Sequence, residues 1–110
     1  MMQKQRYETF RDHLRACQQI LQESGDRDRV KEAIGSLHPF FQREILGSGE
    51  DPTHREQSYQ VEISKQLRLL AVDLTFLQAA RQAGTVQQRQ QQMIDRLERL
   101  ISYCEAVITT

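Results

Sequence analysis

The chain has 110 residues, and its 15 basic side chains balance 15 acidic ones, so its formal net charge is zero. This length fits a single domain over residues 1–110, and the zero charge argues against a nucleic-acid-binding protein, which usually carries a basic excess. Only five Gly and two Pro, no Asn and few β-branched runs favour an all-α fold.

The first predicted helix starts near Tyr7, and its apolar residues follow a heptad seam with spacings of three and four. Such a seam is typical of a helix that packs lengthwise against others. Ser24 and Gly25 would end this helix, and Asp26 would cap the next one. The apolar seam consists of Tyr7, Phe10, Leu14, Cys17 and Leu21.

The second predicted helix begins near Asp26 and contains Pro39. A proline removes a helical hydrogen bond and clashes with the preceding turn. We therefore expect a Pro-kinked helix, with two shorter helices as the alternative.

Phe40 and Phe41 point about 100° apart. We expect both to pack at the kink; the alternative is an exposed aromatic that contacts a partner. The segment 47–52, "GSGEDP", is the clearest loop.

The third helix is predicted to be long, since no breaker occurs before Gly84. Asp51 followed by Pro52 is the favoured start, and Thr53 with Glu56 is the alternative. Two adjacent apolar rows cover more than half of its circumference, so we expect the monomer to enclose it; the alternative is a homodimer interface. The rows are Ile63, Leu67, Leu70, Leu74 and Leu77, and Leu69, Val72, Phe76, Ala80 and Ala83.

The fourth helix is predicted to start with Thr85 as its cap, directly after Gly84. Together the patterns predict an all-α, four-helix up-down bundle with a long third helix and a Pro-kinked second helix. A longer coiled-coil hairpin that is stable only as a dimer is the rival. The apolar seam is Val86, Gln90, Met93, Leu97, Leu100, Cys104 and Val107, with a second row of Ile94, Ile101 and Ile108.

Asp73 lies between the two apolar rows of the third helix. A buried carboxylate needs a charged or hydrogen-bonding partner, so we expect a structural polar pin rather than a general acid or base. Arg89 and Arg96 on the next helix are the first candidate partners, and Tyr103 or His13 could also donate a hydrogen bond. Arg81 is expected in the last turn of the third helix, where a cation is favourable.

The sequence lacks the motifs of common enzymes. Its three histidines lie on different predicted elements, without zinc or di-iron spacing. The segment 47–51 lacks the Lys and Ser/Thr of a phosphate-binding loop, and no nucleophile elbow occurs. We therefore expect no catalysis, cofactor or metal.

Cys17 and Cys104 fall on apolar seams and suit buried free thiols, a disulfide being the minority alternative. No pattern of a signal peptide or membrane span occurs, which predicts a cytoplasmic protein without membrane insertion.

The C-terminal half carries a series of short motifs between Glu62 and Ile108. In order they are "LRLL", then "D" and "FL", then "ARQ", "TVQQR", "RL" and "LISYC". This series resembles the cyanobacterial PatD family, called heterocyst frequency control protein. The N-terminal half is similar only in its Gln-rich helices and its "FF" pair. Within the motifs, several residues suit either packing or partner contact: Asp73, Ala80, Arg81, Gln82, Arg89 and Tyr103.

The resemblance implies a small, non-catalytic regulator of how often vegetative cells become heterocysts. It also implies a link to cell division through the tubulin-like protein FtsZ, and in an organism without heterocysts that role would remain. The leading hypothesis is thus a regulatory protein that binds a protein partner such as FtsZ. The alternatives are a helical bundle that binds a small molecule at a polar site around Asp73, and a nucleic-acid binder that uses its arginines.

Overall fold

A computed structural model of the protein describes residues 2–23 and 26–109. It is an all-α bundle, as predicted, and the described residues contain no strand. The predicted break at Ser24 and Gly25 lies outside the described residues. The helices are α1 (Met2–Glu23), α2 (Arg27–Gly35), α3 (Leu37–Phe40), a π-helical segment (Phe41–Leu46), α4 (His54–Ala79) and α5 (Ala83–Ile108).

Helix α1 presents its predicted seam to the core. The five seam residues are at most 4% exposed. The helix packs mainly on α5 and also contacts α2, α3 and the π-helical segment. The predicted periodicity therefore identifies the buried side of α1 residue by residue.

The predicted second helix is an interrupted helical arm made of α2, α3 and the π-helical segment. Asp26 caps α2, its Oδ1 accepting from the backbone N–H groups of Asp28 at 3.0 Å and Arg29 at 3.3 Å. The arm breaks at Ser36, whose backbone stays in the right-handed helical region, three residues before Pro39. The break agrees with the steric conflict between a proline and the preceding turn.

The π-helical segment carries the arm into the predicted loop. The N–H of Gly47 donates to the carbonyl of Gln42, five residues earlier, at 2.8 Å. This wider turn places both Phe41 and Ile45 in the core at no more than 1% exposure. Gly49 then has a φ of 80°, a conformation that other residues adopt only at a cost.

Helix α4 starts with the alternative cap. The Oγ1 of Thr53, not the favoured Asp51, accepts from the N–H of Glu56 at 3.1 Å. The helix packs along α5, and it contacts α2 and α3 on another side. Residues in contact run in opposite directions along α4 and α5, since Tyr59 meets Tyr103 and Phe76 meets Arg89.

Helix α4 ends five residues before the predicted stop at Gly84. Ala79 is its last residue, and an arginine from α2 supports this end: Arg27 donates from Nη1 to the carbonyl of Gln78 at 3.1 Å. In return the amide of Gln78 donates to the carbonyl of Arg27 at 3.1 Å. Because α5 begins at Ala83, the prediction of Thr85 as its cap is wrong.

Candidate functional site

Asp73 is buried at the α4–α5 contact and is paired with an arginine. Its side chain is 4% exposed, and its Oδ2 accepts from Nε of Arg96 at 2.7 Å. Nη1 of the same guanidinium donates to Oε1 of Gln66, which also belongs to α4, at 2.8 Å. Arg96 thus spans two turns of α4, and the three side chains satisfy one another at a place where lone polar groups would be costly.

A second arginine, Arg89, lies beside the same carboxylate. Its Nη1 is 4.0 Å from Oδ1 of Asp73 and donates to Oε1 of Gln92 at 3.3 Å. Its guanidinium carbon is 4.6 Å from the centroid of the Phe76 ring, within the range of a cation–π contact. The buried Asp73 therefore faces two cations, so Asp73, Arg89 and Arg96 together carry one surplus positive charge.

The geometry around Asp73 suits the joining of helices better than proton transfer. Both of its ionic partners are guanidinium groups, which stay protonated in proteins and cannot exchange a proton with a carboxylate. The carboxylate is also enclosed, since Asp73 is only 3% exposed. The arrangement therefore fixes α4 against α5 and orients Arg89 at the surface.

The other predicted site residues lie apart from Asp73. Arg81 and Gln82 are exposed in the connection between α4 and α5, so the prediction of Arg81 in the last turn of the third helix is wrong. Tyr103 is half-buried, with its ring centroid 5.9 Å from that of Tyr59. His13 contacts Phe40 on another side of the bundle.

The three large residues of the second apolar row of α4 face outward, whereas Ala80 of the same row is buried. Leu69 is 37% exposed, Val72 49% and Phe76 50%, whereas the first row is buried except for the half-buried Leu74. The expectation that the monomer encloses this helix is therefore wrong for Leu69, Val72 and Phe76. Three large apolar side chains on one helical face form a patch of the kind that marks interaction sites. We refer to Leu69, Val72 and Phe76 as the α4 apolar row.

A polar cluster that the sequence analysis missed joins α1 to the start of α4. Oε2 of Glu56 accepts from Nε2 of Gln3 at 2.7 Å and from the Tyr7 hydroxyl at 3.2 Å. Gln60 donates to both the Tyr7 hydroxyl and Glu56. Burial raises the pKa of Tyr7 far above its ordinary value, and Glu56 raises it further against an opposing hydrogen bond from Gln60. A tyrosine on a core seam needs a partner for its hydroxyl, so the position of Tyr7 on the seam indicates a polar cluster at this place.

Gln66 was missed as well, although its position carried a signal. It precedes Asp73 by seven residues, so the two polar side chains fall on nearly the same side of α4. Two polar residues a heptad apart beside an apolar row indicate a shared partner on the next helix.

Two cavities lie away from Asp73. One of about 600 Å³ is an open depression along the Gln-rich start of α5. Another of about 500 Å³ lies between the starts of α1 and α4, where Gln3, Glu56 and Tyr59 are among its lining residues. Neither cavity supports the hypothesis of a small molecule bound around Asp73.

The two thiols are free and buried, and burial raises the pKa of Cys17 to about 11 and of Cys104 to about 12. Both folded-state values exceed the ordinary thiol value of about 8.5. The stabilisation from keeping them protonated is thus complete below that ordinary value and is lost as the pH rises towards 11 and 12.

We expect unfolding to become easier above about pH 9, by on the order of 1 kcal/mol per pH unit for each thiol. Urea denaturation over a pH series measures this loss, which should be smaller in Cys104→Ala than in the wild type. A folded protein whose thiols react at about pH 8 as fast as those of the unfolded chain would contradict the raised pKa values.

Comparison with models of known protein families, with curated proteins and with solved structures finds no match for this chain. Among the described residues, no group of three or more His, Cys, Asp and Glu side chains could hold a metal ion. In the same part of the chain, no helix is both long and apolar enough to cross a membrane.

Proposed function

We propose that this protein is a non-catalytic, cytoplasmic regulator that acts by binding a protein partner. The observation that carries the proposal is the α4 apolar row, since three large apolar side chains remain 37–50% exposed on a helix whose opposite side is core. Contiguous exposed apolar surface favours association, because burying it against a partner is worth roughly 25 cal/mol per Å².

The partner and process come from the resemblance of residues 62–108 to the PatD family. On that basis the regulated process is cell division, or the frequency of heterocysts where the organism forms them, and the partner is the tubulin-like protein FtsZ. The α4 apolar row lies inside the resembling stretch, as do Asp73 and Arg89, which flank it. The resemblance and the exposed surface thus favour the same part of the molecule.

Cosedimentation with polymerising FtsZ tests this function. We expect the protein at stoichiometric amounts to change the mass or bundling of FtsZ polymer in the pellet. The double variant Leu69→Ser/Val72→Ser should lose the effect, because it removes apolar surface without touching the core. Leu46→Ser is the matched control, since Leu46 is as exposed as Val72 but lies outside the row. A wild-type protein that leaves FtsZ polymers unchanged contradicts the proposal.

A further inference from the structure

Cations surround the α4 apolar row. At about 100° per residue, Lys65 lies one turn before Leu69, and its direction around the helix falls between those of Leu69 and Val72. Arg68 lies on the outer flank of the row. Both side chains are exposed and belong to no ion pair among the described residues. The row therefore combines apolar contact area with two cations, Lys65 and Arg68, that take part in no ion pair among the described residues.

Helix α5 adds cations on the side next to α4. Arg89 lies on the ring of Phe76, and exposed Arg99 projects from the same outer side of α5 as Gln92. The buried Asp73 pairs most closely with Arg96, at 2.7 Å against 4.0 Å for Arg89. Arg89 thus keeps a third of its side chain exposed at the surface.

Acidic side chains are scarce at this place. Glu62 is half-buried at the inner edge of the row, towards α5. Asp95 lies farther round α5 and accepts a hydrogen bond from Gln91 at 2.9 Å. Although the whole chain is neutral, this face is positive, and the complementary ligand is apolar along one line and acidic beside it.

We propose that the α4–α5 face binds an acidic amphipathic helix of a partner protein. This inference rests on the proposed function and specifies its docking surface. Val61, which is 66% exposed, lies on the same outer side of α4, and from Val61 to Phe76 the face extends about 22 Å, enough for a helix of about four turns. Apolar side chains of the bound helix cover Leu69, Val72 and Phe76, in the helix-in-groove mode. Its carboxylates reach Arg68 on one flank and Arg89 and Arg99 on the other.

The charges select this occupant over a second copy of the chain. In a two-fold dimer through this face, Lys65 and Arg68 of one copy would approach the same cations of the other, and like charges oppose such a contact. A membrane surface is also disfavoured, because the row is narrow and only about half exposed. Interfacial helices bury a broad apolar face that inserts into the headgroup boundary.

Fluorescence anisotropy with two synthetic peptides tests the docking surface. The probe is a helical peptide of about sixteen residues with Leu at helical spacing and Glu on both flanks, and its control carries Lys in place of every Glu. We expect the Glu peptide to bind, the Lys peptide to fail, and added salt to weaken the binding. The variant Lys65→Glu/Arg68→Glu should weaken binding about tenfold. Arg29→Glu/Lys31→Glu, with two exposed cations on α2, should not.

The results separate this inference from the proposed function. Binding of the Glu peptide by a protein without effect on FtsZ supports the docking surface and removes FtsZ as the partner. An effect on FtsZ that survives Lys65→Glu/Arg68→Glu overturns the docking surface and leaves the function standing. Equal binding of both peptides overturns it as well. Two further results would also overturn the docking of an acidic helix: a wild-type dimer that Leu69→Ser/Val72→Ser dissociates, and cosedimentation with anionic phosphatidylglycerol vesicles in place of peptide binding.

Discussion

Replacing Asp73 by alanine is expected to lower the free energy of unfolding by about 3–5 kcal/mol. The loss arises from Arg96, whose side chain is only 14% exposed and would keep its charge in the core without a carboxylate. Gln66 would still accept one hydrogen bond but cannot neutralise that charge. Since small domains are stable by about 5–15 kcal/mol, urea denaturation should show a large shift of the midpoint.

Removing both partners should cost much less than removing one. Asp73→Leu/Arg96→Leu leaves no charge in the core and deprives only the Gln66 amide of its partner, and buried ion pairs replaced by apolar residues are often near neutral in stability. The exposed pair Arg43–Glu44 is the matched control, because Glu44→Ala breaks a 3.1 Å contact that solvent screens. If Asp73→Ala unfolds no more readily than Glu44→Ala, the carboxylate does not hold α4 against α5.

The sequence was sufficient to place Asp73 near its partners. An acid between apolar rows needs a cation, and the antiparallel hairpin brings the α5 arginines past it. The sequence did not indicate that Arg96 would be the close partner and Arg89 the distant one. That difference depends on side-chain direction at the contact: Arg96 reaches Gln66 as well, whereas Arg89 lies on Phe76.

The orientation of the second apolar row could not be predicted from its pattern. Periodicity shows which residues share a face of α4, but an apolar face looks the same in sequence whether a neighbouring helix or a partner covers it. In the structure α5, α2 and α3 pack against the other sides of α4, and Val72 remains 49% exposed. The number of neighbours around a helix is a tertiary property that local spacing does not contain.

The end of α4 illustrates the same limit. Gly84 is the residue whose type favours helix termination in this part of the sequence, yet the helix ends at Ala79 without a glycine. The carbonyl of Gln78 receives a hydrogen bond from Arg27, which lies far away in the sequence. A helix end satisfied by a tertiary donor leaves no local signal.

Replacing Phe41 by alanine should lower the free energy of unfolding by about 3–5 kcal/mol, because its ring is fully buried and the cavity cannot collapse easily. The ring centroid lies 5.7 Å from that of Phe10, at an interplanar angle of 31°. The π-helical turn places Phe41 inward, so the expected loss includes the contact between that segment and α1. Thermal unfolding followed by circular dichroism measures it.

Phe40→Ala is the matched control, and it should cost about 1–2 kcal/mol. Phe40 is half-buried, with its ring stacked on that of Phe10 at 5.8 Å and tilted against that of His13 at 4.7 Å. Phe41 thus contacts Phe10 from within the core and Phe40 contacts it at the core's edge, which agrees with the expectation that both rings pack at the kink. Equal losses for the two variants would mean that Phe40 is as enclosed as Phe41. A larger loss for Phe40→Ala would contradict the inward direction that the π-helical turn gives to Phe41.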